Sequence, residues 1–184
     1  ALVLGAGGAS ASVLAALSDC GASALVVNRD LERAAELAAR FSDRMEIRTT
    51  AWPGGEGAAA PLLASALAES TLVVQATSAQ LGASGGASSV FGALPWSAAC
   101  PDVCLLDLTY SRRPTSFLTR GPASARRLDG AAMLLHQGAA SFALWTGVRA
   151  PIRAMADALA AALGRDAKSL YRPAGGGSDE SESG

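Results

Sequence analysis

The sequence predicts an α/β fold: a doubly wound, mostly parallel sheet with helices on both faces, followed by C-terminal helices. Three observations predict it. The chain opens on an apolar run, Ala1-Leu2-Val3-Leu4, that passes through Gly5-Ala6-Gly7-Gly8-Ala9-Ser10 straight into a helical pattern. Short β-branched or leucine-rich runs then alternate with stretches of helical period as far as residue 130, and such alternation builds a parallel sheet because each parallel return needs a crossover. Past residue 130 the apolar residues keep helical spacing alone.

The first strand, turn and helix organise the rest. Gly5 permits a tight turn off the strand, Gly7 lets the backbone come close to a pyrophosphate, and Ser10 is small enough for helix and strand to pack. The helix then aims its unpaired N–H groups at the phosphates. This is the dinucleotide-binding pattern, and it makes the predicted fold Rossmann-like. Apolar residues over 13–17 carry the first helix, which stops near Cys20-Gly21, where glycine suits a C-cap. A second strand, 24–27, ends at Asn28-Arg29-Asp30, and 31–41 returns to helical period with Leu37 and Phe41 on one face. Residues 45–50 alternate as a third strand and Trp52-Pro53-Gly54-Gly55 breaks it.

A helix is predicted over 61–68 and a buried strand over 71–76, after which 82–89 is a loop too small-sided to carry a core. Residues 103–108 form another strand, and Arg126-Arg127-Leu128 a short last one. Two helices follow: 131–145, apolar nearly all round, and 151–163, opened by Pro151 in its first turn. The Gly, Ser and acidic residues of 173–184 predict a solvated, disordered tail. The expected organisation is therefore a nucleotide-binding domain over 1–130, C-terminal helices over 131–165 and a tail over 166–184.

Composition narrows the function classes. A hydrophobic content of 50%, 17% charged residues and a net charge of -1 without a basic cluster describe a globular chain with no electrostatic footprint for nucleic acid or a membrane surface. The apolar stretches are alanine-rich and interrupted, so none reads as a membrane span, and no signal peptide is expected in the N-terminal residues. Three cysteines, Cys20, Cys100 and Cys104, with the one histidine, His136, make neither a disulfide framework nor an ordinary zinc site. A cytoplasmic setting is expected. The chain begins already inside a buried-type strand, which predicts a piece of a longer protein.

Where an NAD-binding protein carries an acidic residue for the ribose, this chain has Asn28-Arg29. A guanidinium there suits a 2′-phosphate, and Arg33, one helical turn on, can close from the other side, which points to NADP. The other reading makes Arg29 and Arg33 solvated surface charges. Asp30 reads as the N-cap of the second helix.

Gly5-Ala6-Gly7-Gly8-Ala9-Ser10 and Asn28-Arg29-Asp30-Leu31-Glu32-Arg33 resemble the cofactor motifs of shikimate dehydrogenases. Gln75-Ala76-Thr77-Ser78 resembles that family's Asn-Ala-Thr-Ser, and Asp107-Leu108-Thr109-Tyr110 with Thr115 and Phe117 resembles its Asp-x-x-Tyr followed by Thr-x-Phe. Asp129-Gly130, Met133-Leu134, Gln137 and Trp145-Thr146-Gly147 resemble its C-terminal signature in the same order. The ordered set covers about residues 1–165 and separates the chain from glutamyl-tRNA reductases, which share only the early motifs. This chain departs from the family pattern at Gln75 for Asn, at Gln80 for Gly and at Asp30 for Thr.

The resemblance implies an NADP-dependent oxidoreductase of the shikimate pathway. Gly5, Ala6, Gly7, Gly8 and Ala9 would hold the pyrophosphate, and Asn28, Arg29, Asp30 and Arg33 the adenosine phosphate. Thr77 joins the cofactor set, Leu108 and Gly130 would line the nicotinamide, and Tyr110 and Gln137 would face the small-molecule substrate. Read as residues alone, Tyr110 is equally a strand-end residue with a wet hydroxyl, and Gln137 a surface residue on an apolar helix. His136 receives no role. Family members carry their proton-transferring Lys and Asp in a domain before the glycine turn, so no catalytic residue is expected in this chain, whose only lysine is Lys168. The expected substrate is shikimate, with quinate/shikimate or aminoshikimate dehydrogenase as alternatives and a non-catalytic nucleotide-binding module as a rival of another class. Met133, Leu134, Phe142, Leu144, Trp145, Ile152 and Leu159 on the two C-terminal helices are expected to exceed what the sheet can cover.

Overall fold

A computed structural model describes residues 1–52, 59–78 and 91–171 of the chain. The predicted loop over 82–89, Gln80 and the tail over 173–184 lie outside the described residues, as does Pro53-Gly54-Gly55. The chain divides into two compact units, 1–130 and the residues from 131 on.

In the first unit the strands are β1 (Leu2–Leu4), β2 (Ala24–Asn28), β3 (Ile47–Ala51), β4 (Leu72–Gln75), β5 (Cys104–Asp107) and β6 (Arg126–Asp129). They form one sheet in the order β3-β2-β1-β4-β5-β6, and every pair is parallel. This is the doubly wound order with its switch point between β1 and β4. Helices α1 (Gly8–Asp19), α2 (Leu31–Ala39) and α3 (Ala59–Glu69) make the crossovers among the first four strands.

Side chains that alternate along β1 and β2 feed two cores, as the period of two requires. Leu2, Leu4, Leu25 and Val27 join Leu63, Leu67, Val73, Leu105, Phe91 and Phe117 on one face. Val3 and Val26 join Leu14, Ala34, Leu37 and Phe41 on the other. Burial on both faces explains why these strands read as unbroken apolar runs, and each fully buried Leu or Val contributes about 1.5–3 kcal/mol. An edge-to-face aromatic chain closes the first core: Phe117 packs on Phe91 at 5.4 Å and on Trp96 at 5.8 Å between ring centroids.

Element boundaries differ from the sequence reading by a residue or two. Helix α2 ends at Ala39, short of Phe41, because the Arg44 and Met45 N–H groups both donate to the Phe41 carbonyl and close a turn there. That turn delays β3 to Ile47 and still leaves Phe41 buried. The exposed edge strand β6 is guarded by charge. The Arg127 guanidinium on it donates to the carbonyls of Leu118 (2.8 Å), Ala125 (2.6 Å) and Pro122 (2.8 Å), gathering the segment that leads into the strand.

The second unit holds α4 (Ala131–Thr146) and α5 (Ile152–Leu163). Pro151 stands at the N-cap of α5, one position before its first turn, because its ψ of 66° is not helical. Ala131, Leu135, Ala156, Ala160, Leu163 and Leu170 form this unit's own core, and Ile152 and Leu159 pack partly against it. Leu144 and Trp145 are exposed at 82% and 81%, and Met133, Phe142 and Val148 are exposed too. Of the seven apolar residues expected to be left over, four are therefore exposed, while Leu134, Ile152 and Leu159 are half-buried. No helix among the described residues is long and apolar enough to cross a membrane.

Candidate active site

The strand register assembles the site. Leu4 is level with Val27 on one side and Gln75 on the other, Gln75 with Asp107, and Asp107 with Asp129. The residues that follow form one row along the carboxyl end of the sheet: Asn28, Gly5, Ala76, Leu108 and Gly130. In an open parallel sheet this edge, at the switch point, is where a ligand crevice lies.

Gly5 has φ +111°, a conformation closed to residues with a side chain, and a β-carbon there would meet the Ala76 carbonyl oxygen and Thr77 Cγ2 at 3.0 Å. Its N–H donates to the Val27 carbonyl at 2.8 Å, and the Ala76 N–H donates to the Leu4 carbonyl at 2.9 Å. The turn is thus locked against both neighbouring strands. Gly7 is the N-cap of α1, no side chain caps that helix, and Gly8 and Ala9 are exposed at its start. A β-carbon on Gly7 or Gly8 would meet nothing within 4 Å, so the backbone there is open to close approach. Ser10 is fully buried against the sheet, as a small residue must be.

At the end of β2, the Asn28 side-chain amide donates to the Asp30 carbonyl at 2.8 Å, and Asp30 Oδ1 accepts the Arg33 N–H at 3.0 Å. Asp30 is the N-cap of α2, as the sequence predicts. Arg33 Nε donates to the Ala6 carbonyl at 3.0 Å, which fastens α2 to the glycine turn. A shallow cavity of about 190 Å³ lies beside that contact, lined by Gly7, Gly8, Arg33, Glu36 and Arg40 among others. Arg29 is exposed at the same corner. No motif marks Glu36 and Arg40; their signal is spacing, since positions three and seven beyond Arg33 share its helix face.

At the end of β4, Gln75 is fully buried and closes a ring on its own chain: Nε2 donates to the Thr77 carbonyl at 3.1 Å and Oε1 accepts the Thr77 N–H. The glutamine that replaces the usual asparagine therefore still orders the backbone around Thr77. At the end of β5, Asp107 is fully buried, with Oδ1 accepting from the Thr109 N–H (2.9 Å) and hydroxyl (2.8 Å) and Oδ2 from the Thr115 hydroxyl (2.5 Å). At the end of β6, the Gly130 N–H donates to the Thr109 carbonyl at 2.9 Å, and a β-carbon on Gly130 would stand 2.1 Å from the Leu108 carbonyl oxygen. Leu108 and Gly130 are thus in direct contact. Tyr110, two residues past Leu108, is 42% exposed.

Two family models match the chain: Shikimate / quinate 5-dehydrogenase over residues 1–83 and Shikimate 5'-dehydrogenase C-terminal domain over residues 130–160. A shikimate dehydrogenase (NADP(+)) of Gluconobacter oxydans is 39% identical over 173 residues, 91% of this chain and 56% of its own length. The chain belongs to the shikimate dehydrogenase family. Among solved structures, the shikimate dehydrogenase of Mycobacterium tuberculosis matches with a TM-score of 0.66 at 32% identity, covering 87% of this chain and 56% of its own. The shikimate 5-dehydrogenase of Thermus thermophilus, solved in complex with shikimate, matches with a TM-score of 0.63 at 34% identity, over 89% of this chain and 54% of its own. The chain spans about half the length of the curated relatives it matches.

Gln137 and His136, both exposed, lie on α4 in the second unit, where the His136 ring stands 6.3 Å from that of Tyr171. Lys168 is exposed in a 3-10 turn of the same unit. No cluster of potential metal ligands occurs among the described residues. Of the motif shared with shikimate dehydrogenases, Thr115 and Phe117 are structural. Thr115 Oγ1 also accepts the Leu118 N–H, and Phe117 is fully buried in the aromatic chain.

Proposed function

We propose that this chain is the NADP(H)-binding part of a shikimate dehydrogenase. The whole protein, on this reading, is a cytoplasmic enzyme that interconverts 3-dehydroshikimate and shikimate. The observation that carries it is the row Asn28, Gly5, Ala76, Leu108 and Gly130 at the carboxyl end of one parallel sheet, with the uncapped start of α1 beside it. The residues present fit the cofactor: the turn from Gly5 to Ala9 offers close backbone approach and a helix N-terminus to a pyrophosphate. Asn28, Arg29, Asp30 and Arg33 border the place for the adenosine 2′-phosphate, Thr77 lies between, and Leu108 and Gly130 line the place for the nicotinamide. NADPH, when bound, supplies the hydride that adds to C3 of 3-dehydroshikimate.

Tyr110 and Gln137 orient the substrate in this reading. The proton passes to and from the C3 oxygen through a group outside the residues described, since general acid–base catalysis needs a partner in hydrogen-bond reach. The exposed Met133, Phe142, Leu144 and Trp145 are the side chains on which a substrate domain of the whole protein packs. Purified chain titrated with NADP+ and NAD+, then assayed with shikimate and NADP+, tests the proposal. Binding that favours NADP+, without turnover, is the expected result. Turnover at the rate of an ordinary dehydrogenase would overturn the division of labour, and binding of neither nucleotide would overturn the cofactor reading.

A further inference from the structure

We propose that Asp107 is the positioning residue of the nicotinamide edge, acting through Thr109 and Thr115 to set Leu108 and Gly130. The inference rests on the cofactor reading above. A carboxylate with no exposed surface is costly to bury unless donors surround it. Here three donors, the Thr109 N–H and hydroxyl and the Thr115 hydroxyl, come from the loop it organises. Oδ1 takes both the N–H and the hydroxyl of Thr109, which pins the two residues after β5 in one conformation. The pinned Thr109 carbonyl then accepts the Gly130 N–H, so the end of β6 is set from the end of β5. That bond presses Gly130 onto the Leu108 carbonyl, a fit only a residue without a β-carbon can make.

Oδ2 does the same for the segment downstream. The Thr115 hydroxyl donates to it at 2.5 Å and at the same time accepts the Leu118 N–H at 3.3 Å. The Thr119 N–H donates to the Thr115 carbonyl at 3.2 Å, and the turn seats Phe117 against Phe91 and Trp96. One carboxylate therefore ties three pieces together: the residues following β5, the end of β6 at Gly130, and a turn anchored in the aromatic core. Tyr110 leaves this knot as the next residue after Thr109, so its backbone bearing is set there too.

The test separates the two ends of the nucleotide. Thr109→Val and Thr115→Val each remove a hydroxyl donor to Asp107, and Thr115→Ser restores one. Each purified chain is titrated with NADPH, followed by the fluorescence of its reduced nicotinamide, and with adenosine 2′,5′-bisphosphate, which has the 2′-phosphate and no nicotinamide. Losing a hydrogen bond to a charged group predicts an NADPH affinity about tenfold lower in Thr115→Val, with a weaker nicotinamide signal. The bisphosphate constant should stay within about twofold of the parent, and Thr115→Ser should recover most of the NADPH affinity. Thr109→Val keeps the backbone bond to Asp107, so it tests the same effect in a chain less disturbed than Thr115→Val. Equal weakening of both ligands, or unchanged NADPH binding in both valine variants, would overturn the proposal. A parent that binds the bisphosphate with the same affinity as NADPH would overturn it as well, while a parent that binds neither removes the cofactor reading itself.

Discussion

Gly130 rests its α-carbon on the Leu108 carbonyl: a β-carbon added there would lie 2.1 Å from the oxygen, and the Gly130 N–H reaches the next carbonyl, that of Thr109, at 2.9 Å. The ends of β5 and β6 touch because one residue lacks a side chain. Two positions that the family resemblance assigns to the nicotinamide are thereby a single piece of geometry, and neither can shift without the other.

Gly130→Ala should accordingly push the two strand ends apart. Overpacking of this kind costs about 1–3 kcal/mol, which for a chain of this size lowers the melting temperature by roughly 2–12 °C. Thermal unfolding followed by circular dichroism measures it, and an unchanged midpoint would show that the edge relaxes freely.

Arg29 and Arg33 should behave differently although both stand beside the same corner. Arg29 is exposed, and on the proposed cofactor reading its loss removes a charge-assisted contact to the 2′-phosphate, so Arg29→Ala should weaken NADP+ by about tenfold or more and leave NAD+ nearly unchanged. Arg33 also holds the Ala6 carbonyl, so Arg33→Ala should weaken both nucleotides. Dissociation constants for NADP+ and NAD+ in the two variants decide this, and a loss confined to NADP+ in both would mean that the Ala6 contact leaves the glycine turn unaffected.

Asp30 has two effects that can be separated. Its carboxylate caps α2 on the Arg33 N–H, and on the proposed cofactor reading its charge opposes the 2′-phosphate. Asp30→Thr keeps a capping oxygen and removes the charge, so it should tighten NADP+ binding with little change in stability. Asp30→Ala should cost about 0.5–2 kcal/mol of stability. Urea denaturation of both variants, with NADP+ titrations, gives the comparison; equal destabilisation would mean that threonine does not cap here.

Phe117 belongs to the core despite sitting in a motif. Removing its fully buried ring from contacts at 5.4 and 5.8 Å should cost about 3–5 kcal/mol in Phe117→Ala. Phe117→Leu should retain most of the stability. A loss below 1 kcal/mol, on the order of a surface substitution, would place the aromatic chain outside the cooperative core.

Much of this was legible because it depends on local chemistry. Asp30 before a helical stretch announces a cap, Gly5 after an apolar run announces a turn with positive φ, and alternating strands and helices announce a parallel sheet. The Asp-x-x-Tyr and Thr-x-Phe pattern was visible as well, but its meaning was not. Nothing in the spacing of Asp107 and Thr115 says that a buried carboxylate links them, since the bond spans a loop whose path depends on where Phe117 finds its pocket. The same holds for Arg127, which the sequence places in a short last strand and which proves to gather backbone carbonyls.

The sequence by itself determined the elements, their order and the chemistry at the glycine turn, because helix caps, turn glycines and hydrophobic period act between residues close in the chain. The tertiary structure alone decided which strand ends share a row, that Arg33 reaches back to Ala6, and that Gly130 meets Leu108. These contacts join residues 27 and 22 positions apart, and their geometry follows from strand register. Register is set by how both faces of the sheet bury their side chains together, a property of the whole packed unit that no local stretch of sequence carries.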